Sequence, residues 1–159
     1  MDECKMSALL TEVLGHYQKL EALLAENREH IIRGSVSEVE RFTKLMETVV
    51  LKIRLLEETL ESHLGDFQEQ PDGKVTLSAL AALWEPDGGT FTESVRSLRE
   101  CVKRIDRESK VNRQLLQTAL KLNSQFLSLI DTELKSSKQY SPQGEVSGKR
   151  NAVLLSQKA

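Results

Sequence analysis

From Val39 onward the apolar residues Val39, Phe42, Met46, Val49, Ile53, Leu56, Leu60 and Phe67 follow one another at steps of 3, 4, 3, 4, 3, 4 and 7. Only His63 interrupts, where the next rung belongs. A 3–4 ladder sustained over about four heptads specifies one long amphipathic helix with a narrow apolar stripe. Such a stripe is not stable bare in water and needs a partner helix, from this chain or another. The pattern points toward packing and binding and away from catalysis.

The preceding segment carries a second seam. Leu10, Tyr17, Leu24 and Ile31 recur every seven residues, with Val13 and Leu20 between them, which predicts a helix from about Met6 to Arg33. Asn27 takes an interior position on it, where a polar group fixes register at some cost in stability. Gly15 lies mid-helix, a loss of ~1 kcal/mol against Ala that close approach of a neighbouring helix would offset. Gly34 then provides a left-handed helix stop. Ser35-Val36-Ser37-Glu38 and Ser37-Glu38-Val39-Glu40 both match the capping box that starts a helix. Stop and start signals this close describe a short turn between antiparallel helices, and the second helix is expected to run over about 37–67.

Gly65, Pro71-Asp72-Gly73 and Pro86-Asp87-Gly88-Gly89 bracket a segment rich in helix formers. A short helix is expected at 77–84, its leucines and Trp84 covering an end of the bundle. A third capping box, Thr90-Phe91-Thr92-Glu93, opens a long helix predicted over about 91–135. Its seam reads Phe91, Val95, Leu98, Val102, Ile105, Leu116, Ala119, Phe126 and Ile130, and Cys101 falls on it as a small buried hydrophobe. At ~1.5 Å per residue this helix would reach roughly 65 Å, longer than the other two, so its far end has less partner to cover it. Ser109 and Asn112 occupy its seam midway. Either this is a solvated stretch with pairs such as Asp106 and Lys110, or it is a weak point between a stable and an adaptable half.

Periodicity ends after Leu134. The net charge of −2 divides into +3 on residues 138–159 and −5 on the rest, and this tail has the composition of a flexible segment. The fold expected is all-α: an antiparallel bundle of three long helices over 1–137, a short extra helix in the linker, and a flexible C-terminal tail over 138–159. Aromatic content of 4% and only eleven Gly and Pro residues fit long helices joined by few turns.

The same totals weigh against several functions. A slightly acidic chain has no basic field for nucleic acid, and no apolar run approaches the length of a membrane helix. The N-terminus shows no apolar signal core, so a soluble cytoplasmic protein is expected. Cys4 and Cys101 make no CxxC pair; His16, His30 and His63 make no HxxxH or HExxH pair. Phosphate-binding glycine loops and nucleophile elbows are missing. No metal, cofactor or enzymatic activity is expected.

An ordered set of segments carries a family likeness. Ile31-Ile32-Arg33-Gly34-Ser35 is followed by Val39, Phe42, Thr43, Lys44 and Glu47, then by Thr76-Leu77-Ser78-Ala79-Leu80. Next come Asn112-Arg113-Gln114-Leu115-Leu116 and Tyr140-Ser141-Pro142-Gln143-Gly144. From about Ala8 to Gly144 the chain resembles the FlgN-type flagellar export chaperones. That resemblance implies a helical cytoplasmic protein that holds the C-terminal helical segments of hook–filament junction proteins and delivers them to the flagellar type III export gate. It also implies Tyr140 as the residue that docks to the gate.

A chaperone of this kind can bury a partner's amphipathic helix against an under-covered helix face. The substrate-binding candidates are Leu115, Leu116, Leu122, Phe126, Leu129, Ile130 and Leu134, because the apolar positions there are too many for one narrow seam. The alternative is that they only close the intramolecular bundle. Two other readings share the patterning: a structural coiled-coil scaffold or tether, self-associating through its seams, and a chaperone for another type III substrate.

Overall fold

The computed structural model of the chain describes residues 3–65, 75–85 and 87–137. These form four helices: α1 (Glu3–Arg33), α2 (Val36–Gly65), α3 (Leu77–Trp84) and α4 (Thr90–Ser137). No strand occurs among the described residues, and the all-α class read from periodicity holds. Phe67, the last rung of the α2 ladder, and the 138–159 tail lie outside the described residues. The chain divides into two units, Met1–Leu116 and Gln117–Ala159.

In the first unit, the turn between α1 and α2 follows from its sequence. Gly34 adopts φ +68°, its N–H donates to the Ile31 carbonyl at 3.1 Å, and the Ser35 N–H donates to the His30 carbonyl at 3.0 Å. This is a Schellman arrangement, which satisfies the last carbonyls of α1. The Ser35 carbonyl then accepts from Glu38 and Val39, so α2 begins two residues after α1 ends. Glu38 does not close the expected box; its carboxylate pairs with Arg41.

The direction of each helix can be read from side-chain pairs. Tyr17 donates to Glu57 and His30 packs on Phe42, so α1 and α2 are antiparallel. Glu21 meets Arg104, and Arg28 meets Asn112, at sequence offsets of 83 and 84, so α1 and α4 are parallel. The result is an up–down–up bundle. The same offsets bring Arg33, the end of α1, level with Leu116, where the first unit ends.

Two apolar layers fill this bundle. One joins Met6, Leu10, Leu60, Leu80, Ala81 and Phe91, with Trp84 half-buried against them and its ring edge-on to Phe91 at 5.1 Å. The other joins Leu20, Leu24, Val49 and Ile53, with Met46 and Ile105 at its margin. Each fully buried Leu or Phe contributes ~1.5–3 kcal/mol. Leu77 and Leu80 cover the end of the bundle as expected, but Leu83 is exposed: α3 is too short to bury more than one face. Gly15 is also exposed, with open space where a Cβ would stand, so no close helix approach explains it.

Next to the second apolar layer lies a polar one, with the buried Ile31 and Phe42 nearer the Gly34 turn. Asn27 and Asn112 are buried. The Asn112 amide donates to the Leu24 carbonyl at 2.9 Å and accepts from Arg28 Nε at 3.1 Å, while Arg28 also pairs with Glu108. The Asp106–Lys110 pair forms as expected on the outer surface. Asn112 is not solvated, however; it belongs to a polar layer shared with α1. Buried polar side chains with fixed partners hold helices in one register.

The entry to α4 departs from the expected capping box. The helix starts after Gly89, which has no side chain to cap it, and the Glu85 carboxylate accepts from the Phe91 and Thr92 N–H groups at 3.2 and 2.8 Å. Glu93 pairs with Arg96 instead. Those backbone hydrogen bonds hold the Glu85 carboxyl below its ordinary range against the opposing effect of desolvation.

Candidate partner-binding helix face

The α4 sequence changes character after Asn112. Up to that point every third or fourth residue finds α1 or an apolar layer: Phe91 and Cys101 are buried, and Ile105 lies against the second layer. Beyond it, Leu115 is half-buried and Leu116 is 38% exposed. In the second unit, helical residues 117–135 are exposed except Ala119, which is half-buried. Leu122, Phe126 and Leu129 are 59%, 63% and 65% exposed, and Ile130 and Leu134 are exposed as well.

The spacing of these residues defines a surface. Leu122 and Leu129 recur at seven residues, as do Ala119 and Phe126, and Asn123 and Ile130. At ~100° per residue these columns lie side by side. Leu120 and Leu127, exposed at 68% and 59%, add a further column that runs on to Leu134. The candidates read from sequence do not include Leu120 and Leu127, although their seven-residue repeat with Leu134 is an available signal. Together the columns cover about half the helix circumference, wider than the stripe that pairs with a single neighbour. Lys121, Gln125, Ser128 and Thr132 occupy the other side. Of the candidates, Leu122, Phe126, Leu129, Ile130 and Leu134 thus share one face. Leu115 and Leu116 belong to the first unit, and Tyr140 lies outside the described residues.

The side chains that define this face are mostly hydrocarbon, and in the first unit Glu21, Cys101 and Tyr17 are titratable groups tied to packing. Arg104, hydrogen-bonded to Glu21 at 2.6 Å, holds that carboxyl below its ordinary range despite desolvation. The buried Cys101 thiol donates to the same carboxylate at 3.4 Å and is pushed up to about 11, mainly by desolvation. Desolvation and the Glu57 carboxylate likewise raise the Tyr17 phenol. A thiol held neutral in this way is a poor nucleophile. Among the described residues no group of three or more His, Cys, Asp or Glu could hold a metal ion, and no helix is long and apolar enough to cross a membrane.

The model of one protein family, described as FlgN protein, matches residues 1–148. The chain belongs to the FlgN family. The match spans all four helices, which agrees with the likeness seen in the ordered segments. Searches of curated proteins and of solved structures found no match. FlgN membership makes the chain a flagellar export chaperone in general terms, and a wide exposed apolar helix face is a feature such a chaperone can use.

Proposed function

We propose that this FlgN-family chain is a cytoplasmic chaperone for hook–filament junction proteins, binding their C-terminal helical segments on the apolar face of α4 and delivering them to the flagellar export gate. The observation that supports this reading is the half-circumference of exposed Leu, Phe and Ile between Leu120 and Leu134 in the second unit. A junction protein's terminal helix is amphipathic and self-associates when bare. Laid on this face, it exchanges that self-association for helix-in-groove packing. Leu122, Phe126, Leu129, Ile130 and Leu134 are the anchors on this face, which Leu120 and Leu127 widen, and Leu115 and Leu116 of the first unit are further candidates. Each fully buried anchor contributes at most ~1.5–3 kcal/mol, offset by ordering of the partner, so several together give micromolar or tighter binding. Tyr140 docks to the gate: a Tyr in the Ser141-Pro142-Gln143-Gly144 context buries a large area at small entropic cost.

Calorimetric titration with the C-terminal segments of the same organism's junction proteins tests the reading. Saturable 1:1 binding with a negative heat-capacity change is expected, and Phe126→Glu with Ile130→Glu should abolish it while helicity by circular dichroism persists. Tyr140→Ala should keep the affinity and lower export in cells. Unchanged affinity in the double variant would remove the face from the mechanism, and absence of binding to every junction segment would remove the substrate.

A further inference from the structure

We infer that the solvent side of α4 in the first unit is a second docking surface, for an acidic helical segment of another protein. Arg96, Arg99, Lys103, Arg107, Lys110 and Arg113 succeed one another at steps of 3, 4, 4, 3 and 3, and all six are exposed. At helical geometry they form one stripe ~26 Å long. The carboxylates of the same stretch leave most of that charge uncompensated. Glu108 pairs inward with Arg28, Glu93 takes Arg96 and Asp106 takes Lys110, while Glu100, one turn from Lys103, favours the positive form of Arg104. Arg99 donates only to the neutral Ser78 hydroxyl, at 2.7 Å. Lys103, Arg107 and Arg113 meet no carboxylate among the described residues.

An ordinary solvated face does not look like this. Like charges three and four residues apart destabilise a helix, and the outer faces of α1 and α2 avoid such a row by mixing signs. Lys5, Glu12, Lys19 and Glu26 alternate on α1, and Lys44, Glu47, Lys52 and Glu58 do so on α2. A chain of net charge −2 that concentrates cations on one helix side presents a directed field.

The occupant follows from what surrounds the stripe. The only exposed large aliphatic side chains along the same stretch of α4 are Val102 and Val111, too little apolar surface to insert into a bilayer as a membrane-surface helix does. No aromatic side chain stands within it to stack on a base either. Among the described residues a second copy of this chain offers no matching acidic row, since α1 and α2 mix signs. A partner helix with Glu or Asp at the same 3–4 spacing matches the ladder charge for charge, as flanking charges do between paired helices.

Fluorescence anisotropy on the full chain tests this. The probe is an Ala-rich helical peptide of about 21 residues bearing six Glu along one face, compared with the same composition with the Glu scattered around the helix. The one-faced peptide should bind at least about tenfold more tightly than the scattered one, and more weakly as salt rises from about 50 to 300 mM. Lys103→Glu, Arg107→Glu and Arg113→Glu together should erase that preference. The corresponding Gln triple, which keeps the helix neutral, should weaken it in the same direction should the Glu triple fail to fold. Lys44→Glu with Lys52→Glu on α2 should leave it unchanged. Equal affinity for the two peptides, equal loss from the α2 variant, or stronger binding to phosphatidylglycerol vesicles or duplex RNA than to the peptide would overturn the assignment.

Discussion

Glu85 shows how a single side chain can join two helices. Its N–H caps the end of α3 by donating to the Ala81 carbonyl, and its carboxylate receives the first free N–H groups of α4. Because those bonds favour the charged form, the carboxyl lies below its ordinary value of 4.5. A group with a depressed native pKa binds protons more readily in the unfolded chain, so its contribution is present above pH 4.5 and fades as pH falls through the native value. Glu21, lowered by Arg104, acts in the same direction. Glu85→Gln should therefore lower Tm by a few degrees at pH 7 and by progressively less as pH falls below 4.5. Thermal melts followed by circular dichroism across that range check it; an equal loss throughout would mean that charge plays no part. Sequence patterning could not find this cap. Glu85 lies five residues before α4, while Thr90-Phe91-Thr92-Glu93 offered a standard box nearer by. The buried Asn112 was legible only as an anomaly on the seam, since its partners, the Leu24 carbonyl and Arg28, are more than eighty residues away.

Elements were far more legible, because helix starts, stops and faces are set by residues a few positions apart. The α2 ladder and the Gly34 turn determine an antiparallel pair with almost no contribution from the rest of the chain. Two glycines of this pair, Gly34 and Gly15, make opposite predictions. Gly34 has φ +68°, a conformation that costs a residue with a Cβ roughly 1–2 kcal/mol, so Gly34→Ala should destabilise by about that amount. Gly15 lies exposed in the middle of α1 with open space around its Cβ position, and Gly15→Ala should stabilise by ~0.5–1 kcal/mol. Urea unfolding of the two variants beside the parent measures both. Two losses would mean that Gly15 serves a contact outside this chain, and two gains would contradict the left-handed turn. The width of the α4 face was only partly legible: the candidates include Phe126 and Ile130 but leave out Leu120 and Leu127, which lie one column away.

For the whole molecule, apolar residues divide into those buried in the first unit and those exposed on the second half of α4. Leu10 is fully buried among Met6, Leu60 and Phe91, and Phe126 is 63% exposed, although both look like ordinary seam residues in sequence. The difference arises because α1 and α2 are about thirty residues long and α4 has 48. Within the first unit a hairpin of that length supplies neighbours for α4 up to Leu116. Leu10→Ala should then cost about 2–5 kcal/mol through lost burial and the cavity left behind. Phe126→Ala should stay within about 0.5 kcal/mol of the parent, since truncating an exposed side chain leaves no cavity. Binding to a junction-protein segment should show the reverse ranking: Phe126→Ala weakens it severalfold or more, while Leu10→Ala, at a temperature where it remains folded, leaves it near the parent value. Urea unfolding and calorimetric titration on the same two variants measure both. Joint loss of stability and binding for Phe126→Ala would mean that the second unit packs as a core. Loss of neither would leave this face without a role in either folding or recognition.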